Sequence, residues 1–174
     1  MSARIPGEAL VIITASGVSL RNVTLQNLLV MDMAGTVLEN PAGLRPSKET
    51  RLHLGIYRAR EDAGAVLHLH PNYAIAISNQ RRTIPLVTAS AEGKLRQGPV
   101  VSAAAGGSEL LAKALVEAVE AAPQANVFLM ERHGIAVFGP TLCLAFDDAE
   151  LAEDTAQIAF LTEVQQLGQR TYLG

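Results

Sequence analysis

Ala65-Val66-Leu67-His68-Leu69-His70-Pro71 has the composition of a buried β-strand that carries two histidines and is cut off by a proline. Successive strand side chains alternate faces, so His68 and His70 project from the same side, about 7 Å apart. Two imidazoles at that spacing can converge on one metal ion, or they can be two polar residues on a solvated strand face. A third protein ligand and an open fourth position would make the pair a catalytic site of the zinc kind. His133 is the candidate third ligand. It stands in Met130-Glu131-Arg132-His133-Gly134, where the glycine permits a backbone bend. Spacing alone does not bring His133 to the other two. The remaining histidine, His53, lies one helical turn after Glu49 and is expected to pack or to support the site from behind.

Outward from that strand the chain alternates strand and helix signals. Ala9 to Thr14 (ALVIIT) is β-branched and apolar, a buried strand broken by the small residues of Thr14-Ala15-Ser16-Gly17. Leu28 to Met31 and Thr36 to Leu38 flank Ala34-Gly35, two short strands around a tight turn. A helix is expected after Pro46-Ser47, capped by Ser47, burying Leu52, Ile56 and Ala59, and closed by Gly64. Pro99 to Ser102 is another short apolar piece, and Ser108 looks like the cap of a helix burying Leu111, Leu115 and Val119. Asn126 to Met130 and Ile135 to Phe138 are expected as strands on either side of Arg132-His133-Gly134. From Leu142 to Leu167, Phe146, Ala149, Ala156, Phe160 and Val164 recur near helical spacing and predict a long amphipathic helix. Interleaved elements of this kind predict an α/β fold, a sheet covered by helices. With no repeat or linker, one domain over residues 1–174 is expected.

Glu49 falls in the first turn of its expected helix, where free backbone amides favour negative charge. Beside a metal such a carboxylate can act as base or ligand; otherwise it complements the helix end. Thr14-Ala15-Ser16-Gly17 and Pro46-Ser47-Lys48 are short, hydroxyl-bearing segments suited to a phosphate, with Lys48 adding a point charge. The net charge of −3 gives no footprint for nucleic acid. No apolar run approaches the roughly 18 to 20 residues of a membrane span, so no membrane partner is expected. A single cysteine, Cys143, permits no internal disulfide, and a cytoplasmic location is the expectation.

Taken in order, the Ser16-Gly17 turn, Arg45-Pro46-Ser47-Lys48-Glu49, the run from Glu61 to His70 and Arg132-His133-Gly134 resemble the class II aldolase/adducin family over essentially the whole chain. The resemblance implies a three-layer α/β/α sandwich on a mixed, largely antiparallel sheet, assembled as a homotetramer with sites at subunit interfaces. It implies that His68, His70 and His133 hold Zn2+, or another divalent ion such as Mn2+, Co2+ or Fe2+. By the same resemblance Glu49 is the acid/base carboxylate, and Ser16, Gly17, Ser47 and Lys48 receive the phosphate of a small-molecule substrate. The implied activity is that of a metal-dependent lyase of the aldolase type. It cleaves a C–C bond of a small sugar phosphate or sugar-acid phosphate through a metal-stabilised enediolate. Decarboxylation of a 3-oxo-tetronate phosphate, or epimerisation or dehydration of a pentulose phosphate, are alternatives within the family. The histidine set weighs against a non-enzymatic, adducin-like module.

Two departures from the family pattern stand out. Its members begin with a helix and a Gly-Asn-x-Ser-x-Arg segment that helps to bind phosphate. Here Ser2-Ala3-Arg4 resembles the tail of that segment and the sequence opens on it, so the expectation is either a start internal to the natural protein or a reduced phosphate cradle. Fuculose-phosphate aldolases place a tyrosine general acid shortly after an Ile-Pro, whereas Ile84-Pro85 runs on to Val87-Thr88-Ala89-Ser90. The segment from Lys48 to Leu54, with Tyr57-Arg58-Ala59-Arg60, is closer to the decarboxylase branch.

Overall fold

A computed structural model describes residues 1–173, with side chains through residue 169. Seven strands form one sheet: β1 (Ser2–Arg4), β2 (Leu10–Thr14), β3 (Leu28–Asp32), β4 (Val37–Glu39), β5 (Ala65–Leu69), β6 (Val127–Met130) and β7 (Gly134–Gly139). Their order is β4-β3-β2-β1-β5-β7-β6. Every ladder between these strands is antiparallel. Among the described residues parallel pairing enters only at isolated bridges, where Gln97 meets Val127 and Val101 meets Met130. The helices are α1 (Thr50–Ala59), α2 (Asn72–Ser78), α3 (Ala89–Lys94), α4 (Glu109–Ala121) and α5 (Leu142–Leu173).

Strand alternation sorts the apolar side chains into two cores. Val66, Phe128, Met130, Ala136 and Phe138 join Leu52 and Ile56 of α1 and Leu111 and Leu115 of α4 on one side. That core runs on under β2 and β3 through Val11, Ile13, Leu29 and Met31. Leu67, Val127, Leu129, Ile135 and Val137 face the other way, onto α2, α3 and α5. The result is the expected three-layer α/β/α arrangement. His68 and His70 share the parity of Val66, so they lie on the α1/α4 side of the sheet. Among the described residues no helix is long and apolar enough to cross a membrane.

Several local expectations change. Ser2-Ala3-Arg4, for which no secondary structure was expected, is a strand set between β2 and β5. Ser2 is buried, and the Arg4 guanidinium donates to the carbonyls of Tyr57 and, at 2.8 Å, Ala63, which ties β1 to the end of α1. Helix α1 begins at Thr50, so Glu49 flanks it rather than lying in its first turn. Ser47 forms the turn just before: its hydroxyl accepts from the Glu49 amide at 3.2 Å and its carbonyl from the Thr50 amide at 3.1 Å. The helix ends at Ala59, well before Gly64. Gly64 is required for another reason, since a Cβ there would stand 2.1 Å from the Pro140 carbonyl oxygen.

Helix α5 buries Ala149 and Ala156 as expected, but not the larger residues of that expected face. Phe146, Phe160 and Val164 are 48%, 43% and 48% exposed, while Ala145, Ala149, Ala152, Ala156 and Ala159 form the buried stripe. Small side chains let this helix lie close against β5 and β7, and the larger apolar residues fall one position off that line. Helices α2 and α3 lie in a stretch of sequence without a clear helical period. Glu153 of α5 fixes the start of α2, accepting from the Tyr73 and Ala74 amides at 3.0 and 2.9 Å.

Candidate active site and metal centre

His68 lies on β5 and His70 just past its end, while His133 sits in the turn between β6 and β7. Because β5 pairs with β7 through Leu69 opposite Ile135, the end of one strand meets the start of the other. The turn bends at Arg132, whose φ is +58°, not at the glycine after it. Gly134 supplies room instead: a Cβ there would be 2.2 Å from the Leu69 carbonyl oxygen and 3.1 Å from His70 Cδ2.

The three rings converge. Their centroids are 4.6 Å apart for His68 and His70, 4.9 Å for His68 and His133, and 5.4 Å for His70 and His133. One ring nitrogen from each can be chosen so that all lie within 4.8 Å of one another. His68 Nδ1 is 3.0 Å from the Ile135 carbonyl oxygen, so Nδ1 must donate and Nε2 is left with a lone pair. That Nε2 is buried and has no protein partner. Burial, with a smaller contribution from the neighbouring imidazoles, lowers the His68 pKa to about 4. A neutral imidazole oriented by a backbone carbonyl, with its free nitrogen aimed at two others, is the donor set a divalent ion requires. His70 is also pulled down, first by burial and then by His133, against an opposing pull from Glu49.

Glu49 joins this group. Its Oε1 lies 3.8 Å from His133 Nε2, and both side chains are largely buried. The loop before α4 closes over them: a Cβ on Gly106 would be 3.1 Å from both Glu49 Oε1 and His133 Cε1. Nothing in the sequence pointed to Gly106. The run Ala103-Ala104-Ala105-Gly106-Gly107 reads only as a loop of small residues.

A cleft of about 480 Å³ opens beside the histidines, lined by Ser16, Gly17, Ser47, Lys48, Glu49, His53, His68 and His70 among others. The two segments expected to hold phosphate are thus adjacent, joined by a bridge between Ala15 and Pro46. Their serine amides are already engaged, Ser16 N–H with the Arg45 carbonyl at 2.8 Å and Ser47 N–H with the Thr14 carbonyl at 3.2 Å. The backbone amides of these two serines are therefore not free to receive an anion, and Lys48 also lines the cleft.

His53 is only 1% exposed, and burial above all holds its pKa well below the ordinary value. Its Nδ1 lies 2.8 Å from Ser2 Oγ, which lies 2.8 Å from the Tyr57 hydroxyl. Burial likewise pushes Tyr57 up to about 12. The expected supporting role of His53 is consistent with this setting, but its partner on β1 was not visible in the sequence. The Ile84-Pro85 segment offers no tyrosine: Thr88 caps α3, its hydroxyl accepting from the Ala91 amide at 3.2 Å.

The pattern defining the Class II Aldolase and Adducin N-terminal domain matches residues 1–160. The chain belongs to the class II aldolase and adducin family. It is 28% identical over 152 residues to an L-fuculose phosphate aldolase of Methanococcus maripaludis, covering 87% of this chain and 79% of that one. It is 30% identical over 162 residues to a 3-oxo-tetronate 4-phosphate decarboxylase of Haemophilus influenzae, covering 90% and 74%. A solved class II structure, an L-fuculose 1-phosphate aldolase, superposes with a TM-score of 0.81 at 28% identity over 93% of this chain and 74% of the other. These relatives support an enzyme, a sugar-phosphate aldolase or a related lyase.

Proposed function

We propose that this chain is a metal-dependent lyase that cleaves a C–C bond of a small sugar phosphate or sugar-acid phosphate. The observation that carries the proposal is the convergence of His68, His70 and His133, with the Nε2 of His68 buried and unpartnered and Glu49 beside His133. The three imidazoles would hold the ion, with Zn2+ the first expectation for three nitrogen donors and Mn2+, Co2+ or Fe2+ as alternatives. When bound, a divalent ion supplies Lewis-acid stabilisation of the negative charge that develops on substrate oxygens.

The chain's own groups do the rest. The Ile135 carbonyl fixes the His68 tautomer and ring orientation. Glu49, wedged between His133 and the Gly106 backbone, is the group that accepts or returns the substrate's proton. The hydroxyls of Ser16 and Ser47, the Gly17 backbone and the Lys48 ammonium receive the phosphate, in a cleft large enough for a short sugar chain. A homotetramer belongs to the same proposal. The exposed Phe146, Phe160, Leu161 and Val164 of α5 support an assembled state, because a solvated helix rarely carries so many large apolar side chains. The alanine stripe does not, being used within the protomer.

Decarboxylation of a 3-oxo-tetronate phosphate is the second reading. It is favoured by the absence of a tyrosine from residues 84–90 and by the similarity to a decarboxylase of that specificity. One experiment tests both. The protein is analysed for metal and then assayed with ketose phosphates, followed for aldehyde, and with keto-acid phosphates, followed for carbon dioxide. Full metal occupancy in His68→Ala, His70→Ala and His133→Ala would sink the metal assignment. Turnover of neither substrate class by the metal-loaded protein would sink the lyase.

A further inference from the structure

The buried chain Tyr57 to Ser2 to His53 ends at the cleft, and its hydrogens can be counted. Ser2 Oγ is 2.8 Å from both the Tyr57 hydroxyl and His53 Nδ1, and both Ser2 and Tyr57 are buried away from water. Three polarities are possible. If His53 Nδ1 donates to Ser2 and Ser2 donates to Tyr57, the Tyr57 oxygen accepts from both Ser2 and the Val66 amide, and among the described residues its hydrogen has no acceptor. If Ser2 accepts from both neighbours, its own hydrogen has none. Only when Tyr57 donates to Ser2, and Ser2 donates to His53 Nδ1, is every hydrogen in the chain used. A buried donor left without an acceptor keeps its full desolvation penalty, which selects that arrangement. His53 Nδ1 is then an acceptor. Burial of the ring disfavours a second proton, so the single imidazole hydrogen sits on Nε2. No protein group among the described residues pairs with that edge, and His53 lines the cleft that Glu49 and His68 share.

We infer that His53 carries its proton on Nε2 and offers it into the cleft as a neutral hydrogen-bond donor to an oxygen of the substrate, with Ser2 and Tyr57 as the residues that position it. The inference rests on the cleft being the substrate site. A donor fixed from behind suits a carbonyl, hydroxyl or phosphate oxygen. Being uncharged, it leaves Glu49 free of a competing ion pair.

The test is a proton–nitrogen correlation spectrum of the histidine rings at neutral pH in the metal-loaded protein, with His53 assigned by the signals lost in His53→Phe. The Nε2–H tautomer is expected in the parent, and the Nδ1–H tautomer or an imidazolium would overturn the proposal. Ser2→Ala removes the donor to Nδ1 and should bring the two tautomers to comparable populations. An unchanged tautomer in Ser2→Ala would overturn the positioning role. Dihydroxyacetone phosphate is then titrated in, with the phosphorus signal reporting binding independently. The His53 Nε2–H resonance should move with binding, and affinity in His53→Phe should fall roughly three- to tenfold, the worth of one neutral hydrogen bond. Bound ligand with an unmoved resonance would overturn donation to the substrate. No binding in the parent would instead count against the substrate site itself, while the tautomer stays decided by the spectrum.

Discussion

Glu49 is where a helix-end charge and a proton-transfer group make opposite predictions. Glu49→Gln keeps the volume and most of the packing against Gly106 and His133, so fold and metal content should survive. If the carboxylate moves the proton, turnover falls by roughly 10² to 10⁴. If it serves only the N-terminus of α1, the change costs about 0.3 to 1 kcal/mol and leaves turnover within a few-fold of the parent. Steady-state kinetics on the active substrate, beside a thermal melt, separates the two. Gly134 makes a second residue-scale prediction. A Cβ 2.2 Å from the Leu69 carbonyl must push β7 away from β5, directly beside His70. Gly134→Ala should therefore lower both the melting temperature and metal occupancy, and a variant with parental values of both would refute the close-approach account. The sequence made these residues legible unevenly. His68 and His70 follow from strand parity alone. His133 sits 63 residues beyond His70, and only the β5–β7 pairing brings it in. Gly106 could not be read at all, because its role is to be absent from a space that two distant side chains occupy.

At the scale of elements, what is local was legible and what is non-local was not. Helix α4 is announced by its cap: Ser108 Oγ accepts from the Leu111 amide at 3.1 Å, and Leu111, Leu115 and Val119 are buried as their spacing required. Ser108→Ala should cost about 0.5–2 kcal/mol in a denaturant melt. Strand β1 is three residues long and gains its identity from the neighbours on either side, so no period marks it. In α5 two apolar lines compete one residue apart, and bulk was a misleading guide to which one is buried. The closeness of the helix to the sheet selects alanine. That yields a sharp contrast. Ala152, fully buried, has no room to grow, and Ala152→Leu should destabilise by about 1–3 kcal/mol through overpacking. Val164, 48% exposed, should tolerate serine within about 0.5 kcal/mol in an isolated protomer. If the proposed tetramer buries that face, Val164→Ser will instead lower stability in a concentration-dependent way, which sedimentation at several concentrations reads directly.

For the whole molecule, the site sets the pH dependence of folding. In the metal-free protein burial of the His68 ring disfavours its charged form. His68 has a folded-state pKa of about 4 against an ordinary value of 6.5, so between those limits the unfolded chain binds the extra proton and the folded chain does not. Stability from this group is complete above the unfolded pKa and is lost as pH falls toward the folded one. Each pKa unit is worth about 1.4 kcal/mol, so His68 alone should cost about 2 kcal/mol between pH 7 and 5. His53 and His70 are shifted in the same direction and steepen the fall. A bound divalent ion acts on the same equilibrium from the other side, since it binds only the unprotonated ligands of the folded state and adds stability by mass action. Urea melts at pH 7, 6 and 5 in chelator should therefore show a falling midpoint. Zinc in place of chelator should raise it most at pH 7, with the increment shrinking toward pH 5 as protons compete for the same nitrogens. His68→Gln, which removes one titrating ring, should flatten the chelated series. A midpoint that is level or rising between pH 7 and 5 in the chelated parent would mean that the His68 ring is not held buried and neutral in the folded protein.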